Sequence, residues 1–346
     1  LGILGAKTFA YYITSSLLAI LTGQILVNIF KPGLGSAIEF EREVSEIPAM
    51  SQGPVDLILN VIPENPFQAM AEGTVLPVIF FCILFGYFVT RLEEPHRSTL
   101  GNLFQAGFKA MMKLTYAVIW TAPLGVFGIN ARIVATTGFE AFRSLGAYFL
   151  IVLAGLLIHA LLTLPLLVHL VTRRNPYRHF LGMPPALVTG FSTGSTIVTL
   201  PLTMKAVTEN SGVSDKISSF VLPIGATVNM DGTALYECVA VIFIAQIYGF
   251  ALGFDQQLVI VTTALLASIG AASIPMSGLV MMSIILEAVG LPLEGVAIIL
   301  AVARVLDMFR TMVNVFSDSC GAVIVAKLDG EDVLNPARIA PAQAGD

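Results

Sequence analysis

Residues 191–196 read Phe191-Ser192-Thr193-Gly194-Ser195-Thr196, with one apolar arm before them at 180–190 and another after them at 197–204 that contains Pro201. Arms of about ten residues reach only about 15 Å as helix, half the hydrocarbon thickness of a bilayer. Two such arms around a Gly/Ser/Thr tip predict a re-entrant hairpin with its tip near the membrane midplane. Non-helical backbone is tolerated at that depth only where it lines a cavity. About 75 residues later the design recurs. The arm 258–267 meets Ser268-Ile269-Gly270-Ala271-Ala272-Ser273-Ile274-Pro275-Met276-Ser277-Gly278, and an apolar arm returns. Loops between ordinary spanning helices are the plainer alternative, and the short arms argue against it.

Composition places the whole chain in lipid. Hydrophobic residues make up 56% of the sequence and charged residues 12%, against roughly 25% charged in soluble domains. Apolar runs recur at 9–30, 74–89, 114–129, 148–171 and 217–250. Several exceed the roughly 18–20 residues needed to cross a bilayer. The fold class is an all-α polytopic membrane protein, with the bilayer as its first partner and no nucleic acid expected. Arg91 and Arg97, then Arg173, Arg174 and Arg178, then Lys327 and Arg338 follow successive runs, and Glu39, Glu41, Glu43 and Glu46 follow the first. The positive-inside rule puts the basic sets in the cytoplasm and the acidic loop outside. The chain opens on Leu1-Gly2-Ile3 beside a span, which reads as an N-terminally short sequence with no basic leader. Cys82, Cys238 and Cys320 read as small buried hydrophobes, and His96, His159, His169 and His179 form no metal-ligand spacing.

Each hairpin is followed by an apolar segment that carries polar groups. After the first comes Asn229-Met230-Asp231-Gly232-Thr233, where Gly232 suits a helix break that frees backbone carbonyls as cation ligands. After the second comes Asp307-Met308-Phe309-Arg310-Thr311-Met312-Val313-Asn314-Val315-Phe316-Ser317-Asp318. At about 100° per residue, Asp307, Arg310, Thr311, Asn314 and Asp318 share an arc of about 100° on one helix face. A charge at bilayer depth costs about 3 kcal/mol or more unless it faces a polar cavity or a partner. Asp307 and Arg310 alone could be an intrahelical ion pair; Thr311, Asn314 and Asp318 on the same face then remain unexplained. Paired interrupted segments in corresponding positions point to the central site of a secondary transporter, and helix N-termini at the tips offer amide donors to an anionic solute. Tyr11-Tyr12 with Ser15 and Ser16 reads, by itself, as helix packing through small polar residues. An ion channel would be expected to show a filter ring rather than two hairpins. An intramembrane enzyme would need a base near Ser195 or Ser268, where no histidine has suggestive spacing. No enzyme activity and no cofactor are expected.

The hairpin, NMDGT, hairpin and DMFRTMVN arrangement resembles the dicarboxylate/amino acid:cation symporters, the glutamate transporter family, from residue 1 to about 330, with two family helices missing at the start. The resemblance implies the glutamate-transporter fold, with inverted repeats and two re-entrant hairpins, assembled as a homotrimer in the plasma membrane. It implies a transport-domain helix at 1–32, an extracellular loop at 33–56 and scaffold and trimerisation helices at 57–137. The transport domain would follow at 138–328, with hairpin 1 at about 178–208, the NMDGT helix at about 213–250, hairpin 2 at about 256–290 and the terminal polar helix at about 292–327. A cytoplasmic tail would occupy 329–346. It implies Asp307 as acceptor of a substrate ammonium and Arg310 as partner of a side-chain carboxylate, where bidentate geometry favours Arg. Thr311, Asn314 and Thr233 would bind the rest of the solute, and Ser195, Thr196, Ile274, Ser277 and Gly278 would close over it.

One implied sodium site uses Gly225, Asn229, Asn314 and Asp318. A second uses Thr227, Met230, Ser268, Ile269 and Ala271, and a third Tyr12, Ser15, Ser16, Asn229 and Asp231. Keeping both Asp307 and Arg310 predicts an acidic amino acid, L-glutamate or L-aspartate. Neutral amino acids, cystine or C4-dicarboxylates are the alternative cargo within the family. Sodium is the implied coupled ion, with a proton and potassium as further candidates. Glu237, where sodium-only members resemble Gln, is the candidate proton carrier. The chain departs from the family pattern in four places. Gly194 and Met308 stand where relatives carry an Arg, and Arg304, one turn before Met308, could supply that guanidinium. Ala303 replaces an acidic residue, and Met276 a small one.

Overall fold

The computed structural model describes residues 2–35, 62–72, 75–119, 141–270 and 277–335. The described residues form helices joined by turns, with no strand among them, and the chain divides into two compact units. One comprises Leu1–Ile47 with Phe142–Asp346, the other Pro48–Ala141.

The first unit opens with α1, Gly2–Phe30. Thr8, Tyr11, Tyr12, Ser15, Ser16, Ala19, Ile20, Gly23 and Val27 are buried at three- and four-residue spacing. Ile3, Phe9, Ile13, Leu17, Leu21, Ile25 and Ile29 form the exposed stripe. A soluble helix turns its apolar face inward; here both faces are apolar, and the small and hydroxyl-bearing side chains mark the inside, as expected where lipid covers the outside. Next come α5, Ala141–Ile158, a five-residue π turn at His159–Thr163, and α6, Leu164–Thr172. The π turn closes with the Leu164 amide on the His159 carbonyl. Pro165 has no N–H to offer the Leu161 carbonyl, one turn earlier. That carbonyl accepts instead from the Tyr177 hydroxyl at 3.1 Å.

After the short α7, Tyr177–Leu181, come α8, Pro184–Thr193, and α9, Thr196–Ser211, the first hairpin. Its turn passes through Gly194 at φ 67°, a left-handed conformation that side chains resist. Ser195 caps α9, its Oγ accepting from the Val198 amide at 3.4 Å. The next two helices, α10 (Asp215–Val228) and α11 (Asp231–Ile247), are separated by only Asn229 and Met230. The second hairpin comprises α12, Phe254–Gly270, and α13, Ser277–Ala288, and α14 is Val296–Leu328. Only α8 has the ten-residue length that spacing predicts; the other arms have 16, 17 and 12 residues. The apolar run stops at Met204, but α9 continues through Lys205, Thr208 and Glu209 until Gly212, at φ 73°, ends it.

Helix α11 is buried without interruption from Asp231 to Ala245. It is surrounded by α1, α12, α13 and α14, which suits a helix apolar on all sides. Helix α14 packs on α6, both arms of the first hairpin and α10. The two polar segments thus sit at the centre of the first unit. The second unit contains α2, Pro66–Glu72, α3, Val75–Thr90, and α4, His96–Ile119. Asn65 caps α2, with Oδ1 accepting from the Phe67 and Gln68 amides at 3.0 and 3.3 Å. Leu84, Phe85, Tyr87, Phe88, Leu103 and Phe104 are exposed, as on a surface facing lipid.

Candidate functional site

The break between α10 and α11 organises the site. Asn229 (φ −99°, ψ 80°) and Met230 (φ −110°, ψ 60°) leave the helical region. Asn314 of α14 bridges the restart: its Oδ1 accepts from the Gly232 amide at 2.8 Å and its Nδ2 donates to Thr233 Oγ1 at 3.1 Å. A Cβ on residue 232 would lie 2.7 Å from the Arg310 carbonyl, so glycine there is what lets α14 approach so closely. The first hairpin meets the same break, with Thr196 Oγ1 donating to the Ala226 carbonyl at 2.7 Å.

Two buried carboxylates flank the break. Asp318 Oδ1 accepts from Asn229 Nδ2 at 2.9 Å, and a Cβ at Gly225 would lie 2.7 Å from that oxygen. Asp231 sits among α1, the π turn and α14. Its Oδ1 accepts from Ser16 Oγ at 2.6 Å and Ser15 Oγ at 3.3 Å. Its Oδ2 lies 2.5 Å from Ser317 Oγ and 3.0 Å from His159 Nε2. Ser15 has one hydroxyl proton but three oxygens at 3.2–3.3 Å: the Tyr12 carbonyl, Asn229 Oδ1 and Asp231 Oδ1. Such an oxygen-rich, donor-poor cluster is suited to a hard cation. Tyr12 enters through its carbonyl, since its hydroxyl donates to the Val221 carbonyl at 2.7 Å.

Two turns and one turn before Asn314, respectively, Asp307 and Arg310 are almost fully buried. Asp307 Oδ1 pairs with Arg310 Nη2, and its Oδ2 with Arg304 Nη1 at 3.1 Å. The Arg310 guanidinium lies over the Tyr236 ring at 5.6 Å. Its Nε and Nη1 have no hydrogen-bond partner among the described residues. A cavity of about 10 Å³, room for roughly one water, is lined by Tyr236, Gly278, Leu279, Ala303, Asp307 and Arg310. Thr311 and Ser277 are buried as well.

The remaining expected residues are dispersed. Met230 packs against Ala267 and Met281, and Ser268 is fully buried with its hydroxyl on the Leu265 carbonyl at 2.9 Å. Ile269 is half-buried, and Thr227 is exposed with its hydroxyl turned back to the Ile224 carbonyl. Ala271, Ile274 and Met276 lie outside the described residues. Glu237 is fully buried, and neither oxygen has a hydrogen-bond partner among the described residues. Sequence spacing missed His159 and Ser317. A histidine 72 positions before its aspartate shows no pattern, although Ser317 on the polar face of α14 was open to suspicion.

Paired hairpins, each followed by a polar, buried segment, with one of those segments broken beside two carboxylates, mark a helical membrane transporter. The chain belongs to the sodium:dicarboxylate symporter family, which matches residues 1–328. It is 39% identical to the excitatory amino acid transporter 3 of Homo sapiens and 38% identical to that of Mus musculus, each match covering 96% of this chain and 73% of the relative. An excitatory amino acid transporter of Caenorhabditis elegans is 37% identical, over 96% of this chain and 76% of its own.

Proposed function

We propose that this protein is a secondary active symporter of the cell membrane that takes up L-glutamate or L-aspartate together with sodium, by alternating access. The observation that carries the substrate class is the buried Asp307–Arg310 pair around a water-sized cavity. An acidic amino acid presents the two complementary charges: its ammonium replaces Arg310 on Asp307, and its side-chain carboxylate takes the guanidinium edge that has no partner among the described residues. A dicarboxylate would leave Asp307 without an ammonium, and a neutral amino acid would leave Arg310 without a carboxylate. The names of the relatives support the same cargo.

Asn314, Thr311 and Thr233 complete the substrate site in this reading, with Ser195, Thr196, Ser277 and Gly278 closing from the hairpins. Sodium binds at Asp318 with Asn229, at Met230 beside α12, and in the Ser15–Asp231 cluster. The unit containing the site is the moving body, residues 57–137 supply the scaffold, and three copies assemble. Glu237, a buried carboxyl with no hydrogen-bond partner among the described residues, carries the coupled proton.

Uptake of labelled glutamate and aspartate into proteoliposomes, with sodium, proton and potassium gradients imposed separately, tests this reading. An inward sodium gradient is expected to drive accumulation, and Arg310→Gln to abolish uptake of acidic substrates; unchanged glutamate uptake in that variant would sink the substrate assignment. Uptake is expected to depend on pH in the parent and to lose that dependence in Glu237→Gln. A flat pH profile in the parent removes the proton.

A further inference from the structure

We infer that His159 is a positioning residue for the cation cluster at Ser15 and Asp231, holding the Asp231 carboxylate so that Oδ1 faces the cation; this rests on the sodium-coupled reading above. His159 and Asp231 are both fully buried, with Nε2 3.0 Å from Oδ2. Because a carboxylate oxygen accepts, Nε2 carries the hydrogen. His159 and Ser317 therefore both donate to Oδ2. Oδ1 is left to Ser16 and to the Ser15 hydroxyl, which three acceptors share.

Local structure reinforces the assignment. His159 opens the π turn, and single π turns inside helices are frequent at functional sites. Its Nδ1 is buried with no hydrogen-bond partner among the described residues. A histidine serving packing alone would leave a polar nitrogen buried, at a desolvation cost with no return. With Nε2 orienting a charged ligand, that cost is offset. Partners that orient a cation's ligand typically change affinity by about 10–100-fold when removed.

The test uses substitutions that keep or lose the donor at that position. The amide nitrogen of Gln can occupy the place of Nε2, whereas that of Asn falls nearer Nδ1. Purified full-length carrier, free of substrate, is titrated with sodium against choline, and thermal stabilisation is followed. The expected sodium midpoint of His159→Gln lies within about threefold of the parent, and that of His159→Asn is about tenfold higher or more. If the Asn variant does not fold, Ser317→Ala, which removes the other Oδ2 donor, is held to the same tenfold rise. A folded Asn variant with the parent midpoint overturns the inference, as does a Gln variant shifted as far as Asn. A parent that sodium does not stabilise overturns the sodium-coupled reading itself; a responsive parent with an unshifted Asn variant removes only His159.

Discussion

In the proposed substrate site, Asp307 lies between two guanidinium groups. Arg310 is buried with it, while the Arg304 side chain is about half exposed at 48%. An exposed partner contributes little on its own, about 1 kcal/mol at most. In the proposed reading its effect is positional: Arg304 holds Oδ2, and Oδ1 would be exchanged between Arg310 and an ammonium. Arg304→Ala is therefore expected to raise the half-saturating substrate concentration about fivefold, corresponding to about 1 kcal/mol. Initial-rate uptake over a range of glutamate concentrations measures this. A parent-like half-saturation in Arg304→Ala would reduce the contact to an ordinary surface pair. The sequence put Arg304 one turn before Met308 as a spare guanidinium; the structure pairs it instead with Asp307, three residues on. His159 was not legible in the same way. Its partner is far away in the chain, and nothing in LLIHALL signals that the π turn will bring Nε2 onto Asp231.

At the scale of elements, the interrupted segments were legible because lipid permits few solutions. A short arm cannot span, and a polar tip must line a cavity. The Asn229–Met230 break was likewise foreshadowed by Gly232 next to two polar residues. Hydropathy does not report helix length. Arm α9 outruns its apolar stretch because helix continues wherever backbone hydrogen bonds are available, until Gly212 ends it. Polar residues such as Lys205 and Glu209 near an arm's end cost little there, in contrast to the midplane. The exchange of roles in Tyr12, with the carbonyl at the Ser15 hydroxyl and the hydroxyl on Val221, was also beyond sequence. Both groups belong to one residue, and only the packing of α1 against its neighbours decides which faces the cluster.

At the scale of the molecule, the proposed cation and substrate sites are parts of one hydrogen-bonded network. Asn229 contacts Asp318 at 2.9 Å, Ser317 at 3.0 Å and Ser15 at 3.3 Å, so it joins the two carboxylate centres. Asn314 then ties the restart of α11 to the helix that carries Asp307 and Arg310. In the proposed reading, a cation drawing on Asn229 Oδ1 would stiffen the break, which in turn supports Asn314 and Thr233 at the proposed substrate site. Such coupling between sites typically amounts to about 1–3 kcal/mol, or roughly 5–150-fold in affinity, and is reciprocal. Substrate affinity in the parent is accordingly expected to rise about tenfold or more between low and high sodium. In Asn229→Ala, which keeps Arg310 and Asp307, the same change in sodium is expected to shift substrate affinity about threefold or less. Calorimetric aspartate titrations of purified carrier at two sodium concentrations measure both. Equal shifts in parent and variant would show that the coupling runs through another route, and would leave Asn229 a structural bridge between α1, α10 and α14.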